Sequence, residues 1–207
     1  MLLCIYDVVN DNLKKNAMIS IPILKNNKHK ESYLGNASKV SAFYKKWSKI
    51  KDSDLKENVK LKRQRGYKLE KIIYSILFNE GLIPSSGFKI IGEQIDGGFT
   101  YKNLPFLLEA KWHNELTEAS KLYDFKGKVD GKFHLTSGVF ISMNGYSDDA
   151  PQALSTGKTI NIILFDGEEM ELIINNNITF TASLEYKIHM ASKTGKTHSK
   201  IITETVL

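Results

Sequence analysis

"IDGGFTYKNLPFLLEAKW", residues 95–112, is the stretch on which the reading of this chain turns. Two apolar runs, "FKIIGEQID" (88–96) and "LPFLLEAKW" (104–112), have the period of two of β-strands, and Gly97-Gly98 and Lys102-Asn103 lie between them as turn residues. An antiparallel pair is expected. Alternate residues of a strand share a face, so Phe106, Leu108, Ala110 and Trp112 point one way, and Leu107, Glu109 and Lys111 the other. A charged pair on a strand that is apolar on both faces is costly without partners. Two readings account for it. In one, Glu109 and Lys111 form an ion pair on an edge strand, and Asp96 is the turn residue of an Asp-Gly hairpin. In the other, pairing brings Asp96 beside Glu109 as oxygen ligands for a hard cation such as Mg²⁺, with Lys111 facing the same water.

The triplet of acid, any residue and lysine is weak by itself, because it occurs five times: at Asp54, Glu109, Asp124, Asp130 and Glu185. Only the triplet at 109–111 sits inside a strongly apolar strand, and that context singles it out.

Upstream of the strands, "RGYKLEKIIYSILFNEG" places Leu69, Ile72, Ile73, Ile76 and Leu77 on one helical stripe that ends at Gly81. Upstream, residues 38–50 carry Val40, Phe43, Tyr44 and Trp47 at helical spacing, 54–64 predict a further helix, and 18–24 read as a short strand or apolar arm. Downstream come a helix over 114–129, a strand over 138–145, a helix opened by "SDDAPQAL" with Ser147 as N-cap, and a strand over 160–167. Strands alternating with helices predict an α/β fold, a mixed central sheet flanked by helices.

Charge is distributed unevenly. The 207 residues carry a net charge of +6, yet Lys25 to Lys71 alone hold fifteen Lys or Arg against five acids. Such a basic third, interleaved with Tyr33, Phe43, Tyr44 and Trp47, suits a phosphate backbone; the bland alternative is a solvated helix face. Lys45, Lys46, Lys60, Lys62, Arg63 and Arg65 are the candidate DNA contacts. The lone Cys4 excludes an internal disulfide and a cysteine-based zinc site. No apolar run approaches a membrane span, and "MLLCIYDVVNDNLKK" lacks the order of a secretory signal, so the cytoplasm is the expected location.

Taken together, the helix with Glu70, the strand ending "QIDGGF", the strand "LLEAKW", and then "GVFISMNGYS" and "IILFDGEEM" resemble the PD-(D/E)XK nuclease superfamily, most closely the Mrr-like restriction endonuclease catalytic domains, over about residues 64–174. Ile95 stands where the family's name has proline. The resemblance implies a restriction-endonuclease-like core, set at 64–180; the basic, mostly helical extension at 1–63 and the tail at 181–207 lie outside it. It implies catalysis by Asp96, Glu109 and Lys111, with Glu70 as an added acid. Mg²⁺, or Mn²⁺ in its place, would be held by Asp96, Glu109 and the carbonyl of Ala110. It further implies an endonuclease of restriction or phage defence, acting on double-stranded DNA as a homodimer. The alternatives are a repair or recombination nuclease such as a junction resolvase, and a non-catalytic DNA-binding protein with the same fold. His113 reads as an exposed strand-end histidine, and Asn144, Tyr146 and Ser147 as capping residues.

Overall fold

A computed structural model of the chain describes residues 33–50, 58–90, 93–155 and 159–201. The expected arm at 18–24, Cys4 and the stretch 51–57 lie outside them. Five strands form one sheet in the order β1 (Ser85–Ile90), β2 (Glu93–Tyr101), β3 (Leu104–Lys111), β4 (Ser137–Ser142) and β5 (Ile162–Asp166). The first three are antiparallel neighbours, and β3, β4 and β5 run parallel. The sheet is therefore mixed, as expected.

The period of two sorts the inner strands between two cores. Val139, Ile141, Ile163 and Phe165 enter one; Phe140, Ile162 and Leu164 enter the other. Helices α1 (Ala37–Ser48), α2 (Val59–Asn79), α5 (Gly167–Ile174) and α6 (Phe180–Thr194) cover the first core. Helices α3 (Ala119–Asp130) and α4 (Ala150–Ser155) cover the second.

Local chemistry fixes the helix that matters most. α2 starts where the Asn58 side chain accepts the Leu61 N–H, buries its stripe of Leu69, Ile72, Ile73, Ile76 and Leu77, and stops at Glu80, after which Gly81 takes φ +77°. The expected separate helix over 54–64 is not a separate element: residues 59–64 are the first turns of α2. The β2–β3 connection is the two-residue Lys102-Asn103 turn, both residues at positive φ, which gives a hairpin the twist its strands need.

Several expectations are corrected. Gly97 and Gly98 are not turn residues but lie inside β2, paired with Leu108 and Leu107. Close approach explains them, since a Cβ on Gly98 would stand 2.8 Å from the Phe106 carbonyl oxygen. α2 runs across residue 63, α1 buries Val40 and Tyr44 in the first core, and so does α6 with Phe180 and Leu184. Ser147 does not cap α4, which begins at Ala150; the Ser147 N–H instead donates to the Thr117 carbonyl.

Candidate active site

The pairing of β2 with β3 ends at Gly97↔Leu108, and there the side chain of Asp96 takes over. Its Oδ2 accepts the Ala110 N–H at 3.1 Å, so a carboxylate fills the place of the next strand's carbonyl. Strand alternation breaks at this point: Phe99 faces the first core and Ile95 the second, although the two are an even number of residues apart. A strand residue sends its N–H and C=O to the same side, so the Ala110 carbonyl also turns toward the gap held open by Asp96.

Glu109 is nearly buried, and both its oxygens are paired: Oε1 with Lys111 Nζ at 2.5 Å, Oε2 with Lys128 Nζ at 3.0 Å. Lys111 also stands 3.5 Å from Asp96 Oδ2. From the opposite face of the sheet α2 supplies Glu70, which feels the charges of Asp96, Lys111 and Glu109. Burial, and then the Asp96 charge, push the Glu70 carboxyl from its ordinary 4.5 up to about 7. Burial and the Glu109 charge likewise raise Asp96, against the pull of Lys111 and the Ala110 N–H. Burial alone would lower Lys111, but Asp96 and Glu109 outweigh it and hold the ammonium above its ordinary value. Carboxylates crowded above their ordinary range beside an ammonium form a site whose charge is incompletely satisfied.

The restriction endonuclease family model of the Mrr catalytic domain matches residues 61–174, more than half of the chain. The match contains every residue of this cluster. The chain belongs to the Mrr-type restriction endonuclease family. No curated protein and no solved structure matches it.

In this Mrr-type domain Glu70 and Asp96 open into a cleft of about 360 Å³, lined among others by Lys62, Arg63, Tyr67, Lys111 and His113. A smaller hollow of about 200 Å³, floored by Gly97 and Gly98, shares Tyr67, Glu70 and Asp96 with it. His113 is exposed at the end of β3, and partial desolvation, then Lys111 and Lys62, hold its imidazole below the ordinary value. Lys45 and Lys46 are exposed in the last turn of α1; Lys60 and Arg63 are exposed in the first turns of α2, and Lys62 there pairs with Glu115 at 3.6 Å.

Arg65 does not join them. It is buried at 5% exposure, and its guanidinium donates to the Trp112 carbonyl at 2.8 and 3.2 Å and to Asn114 Oδ1 at 2.6 Å. It ties α2 to the end of β3 instead of facing a phosphate. The aromatics of α1 are likewise committed to protein: Tyr44 stacks on Trp112 and donates to Glu171, and Lys68 lies over Phe43 and Trp47.

Sequence reasoning misses Lys128. The signal is present, because Lys128 lies three residues after Phe125, on the border of the stripe Leu122, Phe125 and Val129 that α3 turns to the sheet.

A second group, Asp166, Glu169 and His198, has its possible ligand atoms within 4.8 Å of one another. Its acids are already engaged. Asp166 caps α5 reciprocally with Glu169, while Glu169 also pairs with Lys187 at 2.6 Å and accepts the Ile201 N–H. Among the described residues no helix is long and apolar enough to cross a membrane.

Proposed function

We propose that this chain is a Mg²⁺-dependent DNA endonuclease of restriction or phage defence, with Mn²⁺ able to substitute. The observation that carries the reading is the gap between β2 and β3. Asp96 there holds the Ala110 N–H, the Ala110 carbonyl turns the same way, and Glu109 stands beside them. The donors are all oxygens, and burial makes their charge costly without a cation, which is what a hard divalent ion requires of a site. The residues present therefore fit the ion, with Asp96, Glu109 and the carbonyl of Ala110 as its ligands.

When bound, the ion supplies Lewis acidity at a phosphodiester oxygen and lowers the pKa of a water for in-line attack. The remaining work belongs to the chain. Lys111, held protonated by Asp96 and Glu109, orients the attacking water and offsets charge as it develops on the phosphoryl group. Glu70, at about 7, sits at the right range to take a proton near neutral pH or to join as a further acid. Lys45, Lys46, Lys60, Lys62 and Arg63 follow the backbone of double-stranded DNA, and a homodimer would set one cleft on each strand.

The test is cleavage of supercoiled plasmid, with and without host-type methylation. Nicking or cutting that needs Mg²⁺ or Mn²⁺ and stops in EDTA is expected. Full activity in EDTA would overturn the reading.

A further inference from the structure

A metal centre built on Asp96 and Glu109 leaves one neighbouring charge without a role. Lys128 comes from α3, on the face of the sheet opposite α2, and its side chain is only 21% exposed. Its ammonium is 3.0 Å from Glu109 Oε2 and 2.8 Å from the backbone carbonyl of Gln94 on β2. We propose that Lys128 is a built-in counter-cation of the site: it keeps Glu109 Oε2, leaves Oε1 to face the metal, and sets how tightly a divalent ion is bound.

Anchorage distinguishes the two lysines on Glu109. Lys128 has a second acceptor, the Gln94 carbonyl, which belongs to the backbone of a paired strand and cannot follow the ammonium elsewhere. Lys111 instead pairs with carboxylates, Glu109 Oε1 at 2.5 Å and Asp96 Oδ2 at 3.5 Å. A divalent ion entering between those two carboxylates displaces the Lys111 contacts and leaves the Lys128 pair standing. Glu109 then binds through one oxygen. The three clustered carboxylates, Glu70, Asp96 and Glu109, are already offset by two ammoniums, so an arriving ion meets a weaker negative field than the acids alone would give. Ligand charge count is the usual control on the affinity of such sites. A lysine that subtracts from it lowers affinity and keeps the second oxygen out of the coordination shell.

The inference rests on the metal reading of Asp96 and Glu109, and the test separates the two. Mn²⁺ binding to the intact, metal-stripped protein is measured by calorimetric titration for wild type, Asp96→Asn, Lys128→Met, Lys128→Gln and Lys128→Arg, with thermal unfolding on the same preparations. Lys128→Met and Lys128→Gln are expected to bind Mn²⁺ about tenfold tighter or more, with the gain shrinking as salt rises, because a nearby positive charge is gone. Glutamine keeps an N–H donor, so equal tightening in both variants assigns the effect to charge. Lys128→Arg keeps the charge and stays near wild type. If wild type binds Mn²⁺ and loses it in Asp96→Asn, but the neutral Lys128 variants bind as wild type and only melt lower, Lys128 merely fastens α3 to β2 and the proposal fails alone. If wild type shows no Mn²⁺ binding that depends on Asp96, the metal reading fails and takes this proposal with it.

Discussion

Two clusters of acids and lysines stand on this sheet, one where β2 parts from β3 and one at the end of β5, and they differ in what closes them. At β5, the side chain of Lys187 has no exposure; it is held by Glu169 and the Ser199 carbonyl and is roofed by the segment after α6. Burial pushes Asp166 up, yet the His198 hydrogen bond and the Glu169 N–H outweigh it, and its carboxyl falls below the ordinary value. At β2–β3 the balance is reversed. Lys111 opens to the cleft at 24% exposure, and Asp96 and Glu70 remain above their ordinary values. The same side-chain chemistry makes a structural tie where Lys187 is closed off between Glu169 and the Ser199 carbonyl. Where β2 parts from β3 it leaves charge in excess and open to the cleft.

Removing one group from each cluster separates the two. Asp96→Asn is expected to lower single-turnover plasmid cleavage by about 10³-fold or more, the scale of several kcal/mol of lost transition-state stabilisation, while leaving the melting temperature unchanged or raised. Lys187→Met should do the reverse. It strands a buried Glu169 and destabilises the fold by about 3–5 kcal/mol, visible in denaturant unfolding, without slowing the protein that remains folded. If Asp96→Asn melts early and still cuts, the two clusters are of one kind.

Lys111→Ala is the next largest effect. The rate should drop by about 10²–10⁴-fold with Mn²⁺ affinity within a few fold, and arginine should not rescue it. A variant that only melts lower would return Glu109 and Lys111 to a plain ion pair.

Glu70 sharpens the contrast through pH. Its folded-state pKa of about 7 exceeds its ordinary 4.5, so between those values the folded protein holds more protons than the unfolded one. Stability from this group is full below pH 4.5 and is lost as pH rises through about 7. Glu70→Gln in metal-free buffer should therefore raise the melting temperature above pH 7 and leave it alone below 4.5. An equal shift at both ends would show that Glu70 does not carry the strain assigned to it.

The smallest effect belongs to the surface. Reversing charge at Lys45, Lys46, Lys60 and Lys62 should weaken DNA binding and flatten its salt dependence, by about 0.9 in log–log slope for each phosphate the protein no longer neutralises. An unchanged slope would make these lysines a solvated face.

The clustering of Asp96, Glu109 and Lys111 is legible in the sequence because a period of two puts them on apolar strands, where charge has few explanations. Gly97 and Gly98 mislead because glycine usually punctuates, and the crowding within β2 is visible only once the Ser85 carbonyl stands beside Gly97 and the Phe106 carbonyl beside Gly98. Arg65 reads with its basic neighbours because nothing local distinguishes it; its acceptor, the Trp112 carbonyl, lies 47 residues away. Lys128 and Glu109 are 19 residues apart and meet only after α3 folds back on the sheet. α6 reads as a tail because its buried side includes Ser183 and Lys187 as well as Phe180 and Leu184. Elements follow from local periodicity, whereas the partners of a polar group follow from topology.

The sheet ends at β5, and an edge strand offers free backbone groups to any other chain in solution. Here the Leu164 N–H donates to the Thr197 carbonyl, Thr197 Oγ1 donates to the Pro151 carbonyl, and the Lys187 ammonium grips the Ser199 carbonyl beyond. The segment after α6 thus caps the sheet against aggregation. Truncation at Gly195 would uncover a strand of five buried residues, Ile162 to Asp166, and leave a domain that adds to itself edge to edge.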